Sequence, residues 1–391
     1  MNPISVYVHI PFCTIKCGYC DFNAYAGMNA LQPAYRDALL REVESWRDVL
    51  AGREIATVGF GGGTPGEVPA SHIASVLEGL RREAPFAAGA EVTLEANPGT
   101  TTLEQLRALR AAGVTRMSFG AQSFDAEELR FLDRIHSPEA TGASIALARE
   151  AGFESVNLDL IYALPGQRLD AWERTLRRAI ELGTDHVSAY ALTIEEGTPV
   201  AQRVERGEVV PADPDLAAEM YERTGDLLEA EGFEQYELSN WAKPGHASRH
   251  NQVYWTDGEY VGIGAGAHGY LGGDRYENIA HPRAYIAALT GDFAQGEHPA
   301  VVRRYTPDRV TAMSDWVMLA LRRLEGFEPA AFERKFGVPL DAAVGPVLSE
   351  CEAAGVVARD GRVRLTRAGR QLHGEVAVRV LAHLEAAAAA A

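Results

Sequence analysis

The residues best suited to chemistry lie in one short stretch near the start of the chain, HIPFCTIKCGYC at residues 9–20. It holds three of the four cysteines, Cys13, Cys17 and Cys20. Thiolates this close together are soft metal ligands. A closed zinc site takes four N or S ligands, and the nearest fourth candidate, His9, belongs to the preceding strand pattern. A cubane iron–sulfur cluster also takes four thiolates, so three would leave one iron of a [4Fe-4S] cluster open. The loop therefore predicts a cluster or a zinc ion.

The elements that must position this loop alternate along the first half of the chain. From residue 4 to about residue 193, short β-branched runs alternate with longer helical patterns, which is typical of a parallel sheet with crossover helices. One long helical pattern covers Pro33–Leu50. Six units fit an open, partial (β/α)6 barrel better than a closed eightfold one. The predicted strands are Ile4–Ile10, Ile55–Gly61, Glu91–Ala96, Arg116–Ala121, Val156–Tyr162 and His186–Leu192.

Polar residues crowd at the carboxyl ends of these strands, where barrels of this type carry their active sites. GGGTP at residues 61–65 follows the second strand, Glu95 and Gln122 close the third and fourth, and Asp159 lies within the fifth. Glycines let the backbone approach a ligand closely, and Arg134 could pair with a carboxylate as a planar fork. Each feature is common by itself, but one pocket can gather all of them.

Several stretches together resemble a known family. YVHIPFC, GGGTP, LEANP, GAQSF and NLDLIYALPGQ are similar, in order and spacing, to the coproporphyrinogen oxidase-like branch of radical S-adenosylmethionine (SAM) proteins. In that superfamily the open iron of a three-cysteine [4Fe-4S] cluster binds SAM and cleaves it to a 5′-deoxyadenosyl radical. The resemblance implies that Cys13, Cys17 and Cys20 are the cluster ligands. It is close over the first 200 residues and weaker beyond them.

The same resemblance implies where SAM is bound. At the first SAM it places Tyr7, Gly62, Gly63, Thr64 and Glu95. Around the same cavity, or at a second SAM, it places Tyr19, Gln122, Arg134 and Asp159. The spacing of these residues shows only that they can meet, and it leaves open whether one SAM binds or two.

A second stretch with functional potential is HNQVYW at residues 250–255. A neutral imidazole is a usual axial ligand of heme iron, and Tyr254 and Trp255 offer flat apolar surface to a macrocycle. Taken alone, such a histidine is more often a hydrogen-bonded structural residue. The element, however, resembles the signature of a heme-chaperone subgroup. It implies heme as a ligand, His250 as the candidate axial residue with His268 as an alternative, and an acceptor hemoprotein, such as a respiratory one, as partner.

Two function classes are open. One is a heme chaperone that keeps a radical SAM core, for which we assign no catalytic residue. The other is an oxygen-independent coproporphyrinogen III oxidase, which decarboxylates two propionates by hydrogen abstraction. The oxidase motif resembles C-x3-C-x2-C-x-C, whereas Phe22 stands at the last position here, and Cys13 comes too early for the oxidase's longer N-terminal arm. With HNQVYW, these comparisons favour the chaperone; a radical SAM enzyme with another substrate is a third alternative.

The composition of the 391 residues, 47% hydrophobic and 23% charged, is that of a soluble globular protein. No apolar run approaches the roughly 18 residues that a membrane span needs. A transient contact with a membrane protein is compatible with this. Unpaired thiols indicate a reducing compartment, and we expect a cytoplasmic protein. The net charge of −17 argues against a nucleic-acid partner, because an acidic surface repels phosphate.

The pattern changes towards the C-terminus. The glycine-rich residues 260–270 predict tight turns near the barrel mouth. From about Thr306, three helical stretches and two short strands around an Asp-Gly turn resemble a winged-helix module. Such modules often bind DNA, but the acidic chain favours docking to the barrel or to a protein. We therefore predict an α/β chain with a radical SAM partial barrel at 1–235, a connecting segment carrying HNQVYW at 236–304, and a small winged-helix-like α+β C-terminal domain at 305–391.

Overall fold

The computed structural model describes residues 2–294 and 296–389, and the chain divides into two compact units. The predicted connecting segment, residues 236–304, is shared between these units, and the three-part division of the chain stays a prediction. The first unit contains residues up to Glu234, Trp241–His250 and Glu259–Arg304, and the second contains Gln235–Asn240, Asn251–Gly258 and the chain from Tyr305 onward.

One large sheet forms the frame of the first unit. Its six central strands are parallel and lie side by side in chain order, so the predicted partial (β/α)6 barrel is confirmed. Two further, two-residue strands, β2 and β3, pair with each other outside this sheet. In chain order the strands are β1 (Asn2–Ile10), β2 (Phe12–Cys13), β3 (Tyr25–Ala26), β4 (Arg53–Gly62), β5 (Phe86–Ala96), β6 (Arg116–Gln122), β7 (Ser155–Tyr162) and β8 (His186–Ala191).

Helices cross between these strands and bury their apolar faces in the main core. The pattern predicts one helix over Pro33–Leu50, but the structure breaks it at Trp46, whose buried indole stacks on the His298 ring with 3.6 Å between centroids. The helices are α1 (Gln32–Ser45), α2 (Arg47–Leu50), α3 (Ala70–Glu83), α4 (Leu103–Ala112), α5 (Ala126–Phe131), α6 (Pro138–Glu150), α7 (Leu169–Glu181), α8 (Pro199–Glu205) and α9 (Pro214–Ala230).

The sheet also extends on the far side of β1, which the sequence did not indicate. A seventh parallel strand pairs with β1, and antiparallel strands follow it. The prediction of tight turns over residues 260–270 is therefore wrong for most of that stretch. The elements after α9 are β9 (Glu234–Glu237), β10 (Asn240–Ala242), α10 (Arg249–Trp255), β11 (Tyr260–Ile263), β12 (His268–Leu271), β13 (Asp274–Asn278), α11 (Pro282–Ala288) and β14 (Val301–Tyr305).

Close approach of two strands explains this misreading. A Cβ on Gly262 would lie 1.8 Å from the His268 carbonyl oxygen, so Gly262 serves strand packing and not a turn. Some glycines are required because a neighbouring backbone leaves no space for a Cβ, and others because a turn needs their backbone conformation. The sequence alone does not distinguish the two cases.

The second unit has its own core around Trp316, Phe332 and Leu348. Two short strands near its C-terminal end form an antiparallel hairpin, so the predicted C-terminal domain of helices and a small sheet is confirmed. Cys351 is buried there. The elements are α12 (Arg309–Leu321), α13 (Pro329–Phe336), α14 (Leu340–Ala353), β15 (Val357–Arg359), β16 (Val363–Leu365), α15 (Arg367–Arg370) and α16 (His373–Ala389). Of the helices in the described ranges, none has the length and apolarity needed to cross a membrane.

Replacing Gly262 tests the packing of β11 against β12. We expect Gly262→Ala to lower the free energy of unfolding by about 1–3 kcal/mol, the usual cost of overpacking, because backbone atoms block the new methyl group. Chemical denaturation measures the change. Gly291→Ala is the control, since no heavy atom lies within 4 Å of its Cβ position. Equal stability of the two variants would contradict the close approach.

Candidate functional site

A cavity of about 340 Å³ opens where the parallel strands end. It brings together most of the residues that the sequence singled out, from the cysteine loop, the carboxyl-terminal parts of four strands and the segment after α5. Tyr7 and His250 are not among its lining residues. Those that do line it are Cys13, Cys17, Cys20, Tyr19, Gly62, Gly63, Thr64, Glu95, Gln122, Arg134 and Asp159.

The cysteine loop is fastened to the end of β4 by backbone hydrogen bonds. Gly63 N donates to Ile10 O and Thr64 N donates to Phe12 O, each at 2.8 Å. Beside them, Cys13 Sγ lies 3.4 Å from Thr64 Oγ1. The first thiol is therefore held in place by the glycine-rich segment that the sequence placed beside it.

The glycines of this segment allow that contact. Gly62 has φ +107°, and a Cβ there would lie 2.4 Å from the ring of His9. A Cβ on Gly63 would lie 2.7 Å from Phe12 O. At these two positions protein atoms occupy the space that a side chain would need. The glycines therefore allow the two loops to touch, whether or not they also allow a ligand to approach.

The three thiols differ in their surroundings. Burial raises the pKa of Cys13 to about 11 and also raises that of Cys20. Cys17 and Cys20 are half-buried, and the Arg134 Nη1 atom lies 3.6 Å from Cys17 Sγ. Throughout the part of the chain that the structure describes, no three His, Cys, Asp or Glu side chains converge as ligands of one ion would.

Two carboxyl groups line the same cavity, where the side chain of Glu95 is exposed to the cavity space and that of Asp159 is half-buried. Loss of hydration among the surrounding protein atoms raises the pKa of Glu95 to about 8, and the nearby Asp159 carboxylate adds to the shift, while a hydrogen bond from the Gly62 backbone opposes it. Burial also raises the pKa of Asp159, although Ser118 Oγ and Asn157 Nδ2 donate to it at 3.1 and 2.8 Å. Two such acids favour a bound cation, for example an ammonium group, because it would stabilise both ionised forms.

Arg134 is fixed between the strands and the cysteine loop. Its Nη2 atom donates to Asn97 Oδ1 and to Gly120 O, each at 2.5 Å. Gln122, at the end of β6, has φ +64°, a left-handed conformation that is uncommon outside glycine and often marks a functional site. The strand-end rule found Gln122, but the hydrogen-bonding role of Asn97 is visible only in three dimensions.

Other cavity residues were missed by the sequence reasoning. Tyr190 and Glu195 line the cavity at and beyond the end of β8. The rule that polar residues after parallel strands meet at one edge applies to β8 as well, so it could have found them.

Tyr7 lies beside the cavity on β1. Its hydroxyl is 3.0 Å from His9 Nδ1, and His9 Nε2 is 2.9 Å from the Asn23 carbonyl oxygen, just beyond the last cysteine. Burial raises the pKa of Tyr7, and the charge of Glu95 contributes. The geometry thus connects Tyr7 to the backbone of the cysteine loop.

His250 is buried away from the cavity, within α10. Its Nδ1 atom is 2.8 Å from Thr57 Oγ1, and its Nε2 atom would lie 2.5 Å from a Cβ on Gly59. Burial lowers its pKa to about 4, so the ring is neutral. Residues of β4 cover the ring, and the assignment of His250 as a ligand of heme iron stays a prediction. His268 is exposed at the start of β12, outside the cavity lining.

The fold and this cavity define a radical SAM protein. Residues 7–179 match the radical SAM superfamily, and residues 308–372 match the HemN C-terminal domain. The structure also resembles coproporphyrinogen III oxidase (HemN) from Escherichia coli, described as a radical SAM enzyme. The TM-score is 0.83 and the identity 26%, over 97% of this chain and 90% of that one.

Relatives identified by sequence show to which family within the radical SAM superfamily the chain belongs. The heme chaperone HemW of Mycobacterium tuberculosis is 44% identical over 293 residues, 74% of this chain and 75% of its own. The heme chaperone HemW of Bacillus subtilis is 35% identical over 376 residues, 95% of this chain and 97% of its own. The chain belongs to the HemW family, in the HemN-type branch of radical SAM proteins. Membership of the superfamily implies a [4Fe-4S] cluster and SAM.

Removing a cysteine tests the ligand set. We expect Cys17→Ala, reconstituted without oxygen, to lose the visible absorbance and most of the bound iron, because two thiolates remain. Cys351→Ala is the control, since that thiol is buried in the core of the second unit. A cluster retained by Cys17→Ala, or lost equally by Cys351→Ala, would contradict the assignment.

Glu95 should make stability depend on pH. Its pKa is about 8 in the folded protein against 4.5 ordinarily, so the stability it contributes is full below about pH 4.5 and is lost as the pH rises to about 8. We expect the unfolding free energy of the metal-free protein to fall less over this range in Glu95→Gln than in wild type. Denaturation at several pH values measures this. The exposed Glu154 gives the control Glu154→Gln, and identical pH curves for all three proteins would refute the prediction.

Proposed function

We propose that this protein is a heme chaperone, which binds heme and transfers it to an acceptor hemoprotein. The observation that carries the proposal is the similarity to HemW of B. subtilis, which covers 97% of that protein. The similarity therefore extends over both the radical SAM part and the C-terminal domain. The name of that relative says that it is a heme chaperone. The acceptor, which we expect to be a hemoprotein such as a respiratory one, is part of the proposal.

We further propose roles for the residues of the cavity. Cys13, Cys17 and Cys20 would hold the [4Fe-4S] cluster, which supplies an open iron and an electron when it is bound. Glu95 and Asp159 would accept hydrogen bonds from SAM, through its amino or hydroxyl groups, since two acids in one cavity favour a donor or a cation. The remaining residues would shape the SAM site: Tyr7, Tyr19, Gly62, Gly63, Thr64, Gln122 and Arg134.

The second candidate function is that of a coproporphyrinogen III oxidase. It is favoured by the TM-score of 0.83 over nearly the whole chain. Phe22 argues against it, because the oxidase motif has a fourth cysteine at this position. The 26% identity to the oxidase is also lower than the 35% to HemW over a similar length.

Two assays on the anaerobically reconstituted protein decide between these functions. One is a heme titration followed by absorbance, and the other is incubation with SAM, a reductant and coproporphyrinogen III. We expect saturable heme binding and no protoporphyrinogen, because the relatives at higher identity are chaperones. HemN run in parallel is the control for the second assay. Turnover comparable to that of HemN, or heme binding that does not saturate, would overturn the proposal.

A further inference from the structure

Exposed apolar side chains cluster around the mouth of the cysteine cavity. Of ten large apolar residues that stand exposed in the described ranges, four lie here, with exposed fractions of 63% for Phe22, 57% for Ile135, 46% for Ile15 and 41% for Tyr190. Phe22, Ile15 and Tyr190 line the cavity itself, and Ile135 lines a small pocket that shares Ile15 and Cys17 with it. We call these four residues the apolar rim.

The exposure of Phe22 is fixed by the backbone. Its carbonyl oxygen accepts hydrogen bonds from Lys16 Nζ at 2.9 Å and from Ala24 N at 2.7 Å. The loop is therefore held in a conformation that presents this ring to solvent. Exposed apolar surface is unfavourable by about 25 cal/mol per Å², and contiguous patches of it often mark sites where a ligand or partner binds.

We propose that heme binds across the apolar rim, at the mouth of the cavity and outside its acidic interior; this inference rests on the proposed chaperone function. Heme is a flat, largely apolar macrocycle, and the Phe22 and Tyr190 rings are suited to contact its faces. Its carboxylates would be repelled by Glu95 and Asp159 and also by Asp21 and Glu195, which line the same cavity. Lys16, which also lines the cavity, supplies a cation for a carboxylate at the mouth.

The size of the cavity also favours the rim. Pockets that enclose a drug-sized ligand measure about 300–1,000 Å³, and this cavity of about 340 Å³ is at the low end of that range. A cavity of this size suits one small ligand better than SAM and a macrocycle together. Since His250 is covered by β4, the rim offers heme an accessible surface that α10 does not.

Two rim substitutions on separate elements test the proposal by heme titration. We expect Phe22→Ser, in the cysteine loop, and Tyr190→Ser, on β8, each to weaken heme binding at least tenfold, because each removes a ring from the contact. Val210→Ser is the matched control: this side chain is 77% exposed but does not line the cavity, and its loss should leave the affinity unchanged. Iron content and thermal unfolding, measured on every variant, report whether the cluster and fold persist.

The outcomes separate this inference from the proposed function. Wild-type affinity in both rim variants would overturn the rim site and leave the chaperone function standing. Loss of heme binding in His250→Ala, with iron content and thermal unfolding unchanged and the rim variants unaffected, would also overturn it and place heme at α10. A wild-type protein that binds no heme would refute the proposed function itself.

Discussion

The cavity depends on the contact between the cysteine loop and the glycine-rich end of β4. The Gly63 and Thr64 amides donate hydrogen bonds to the backbone of the loop. Further hydrogen bonds connect Thr64 to other residues around the cavity. Asn97 Nδ2 donates to Thr64 Oγ1 at 3.1 Å, Arg134 Nη2 donates to Asn97 at 2.5 Å, and Nη1 of the same arginine reaches Cys17 Sγ at 3.6 Å. Three neighbouring strand ends and the loop are thereby held together, so a change at any of these contacts should be felt at the thiols.

This arrangement gives one site two different environments. Its interior holds acids whose pKa values are raised by loss of hydration, which suits a cation, and its mouth carries exposed apolar side chains. Phe22 belongs to the mouth although it follows the last cysteine by only two residues. The oxidase motif has a cysteine at that position. A single substitution there therefore distinguishes a loop with a further thiol from a loop with an exposed aromatic ring. The difference lies beside the site and leaves the fold intact, which agrees with a structure so similar to HemN.

Much of this could be predicted from sequence because the information is local. Alternating apolar runs and helix-capping glycines such as Gly113, with φ +110°, mark the strands and helices, and parallel strands bring their carboxyl ends to one edge. The position of His250 could not be predicted, because it depends on Thr57 and Gly59 from a strand almost two hundred residues earlier. The extension of the sheet by β11 and β12 was missed because Gly262 is needed for close strand packing, and its sequence context reads as a turn.

In the proposed site, Cys13, Cys17 and Cys20 would hold a [4Fe-4S] cluster with one open iron, and Glu95 and Asp159 would bind SAM in the same cavity. Low-temperature electron paramagnetic resonance of the reduced, reconstituted protein, recorded with and without SAM, tests this proposal most directly. We expect SAM to change the spectrum of the cluster, because the open iron would gain new ligands, and Glu95→Gln to weaken this response while the cluster is retained. A spectrum that SAM leaves unchanged would contradict the account.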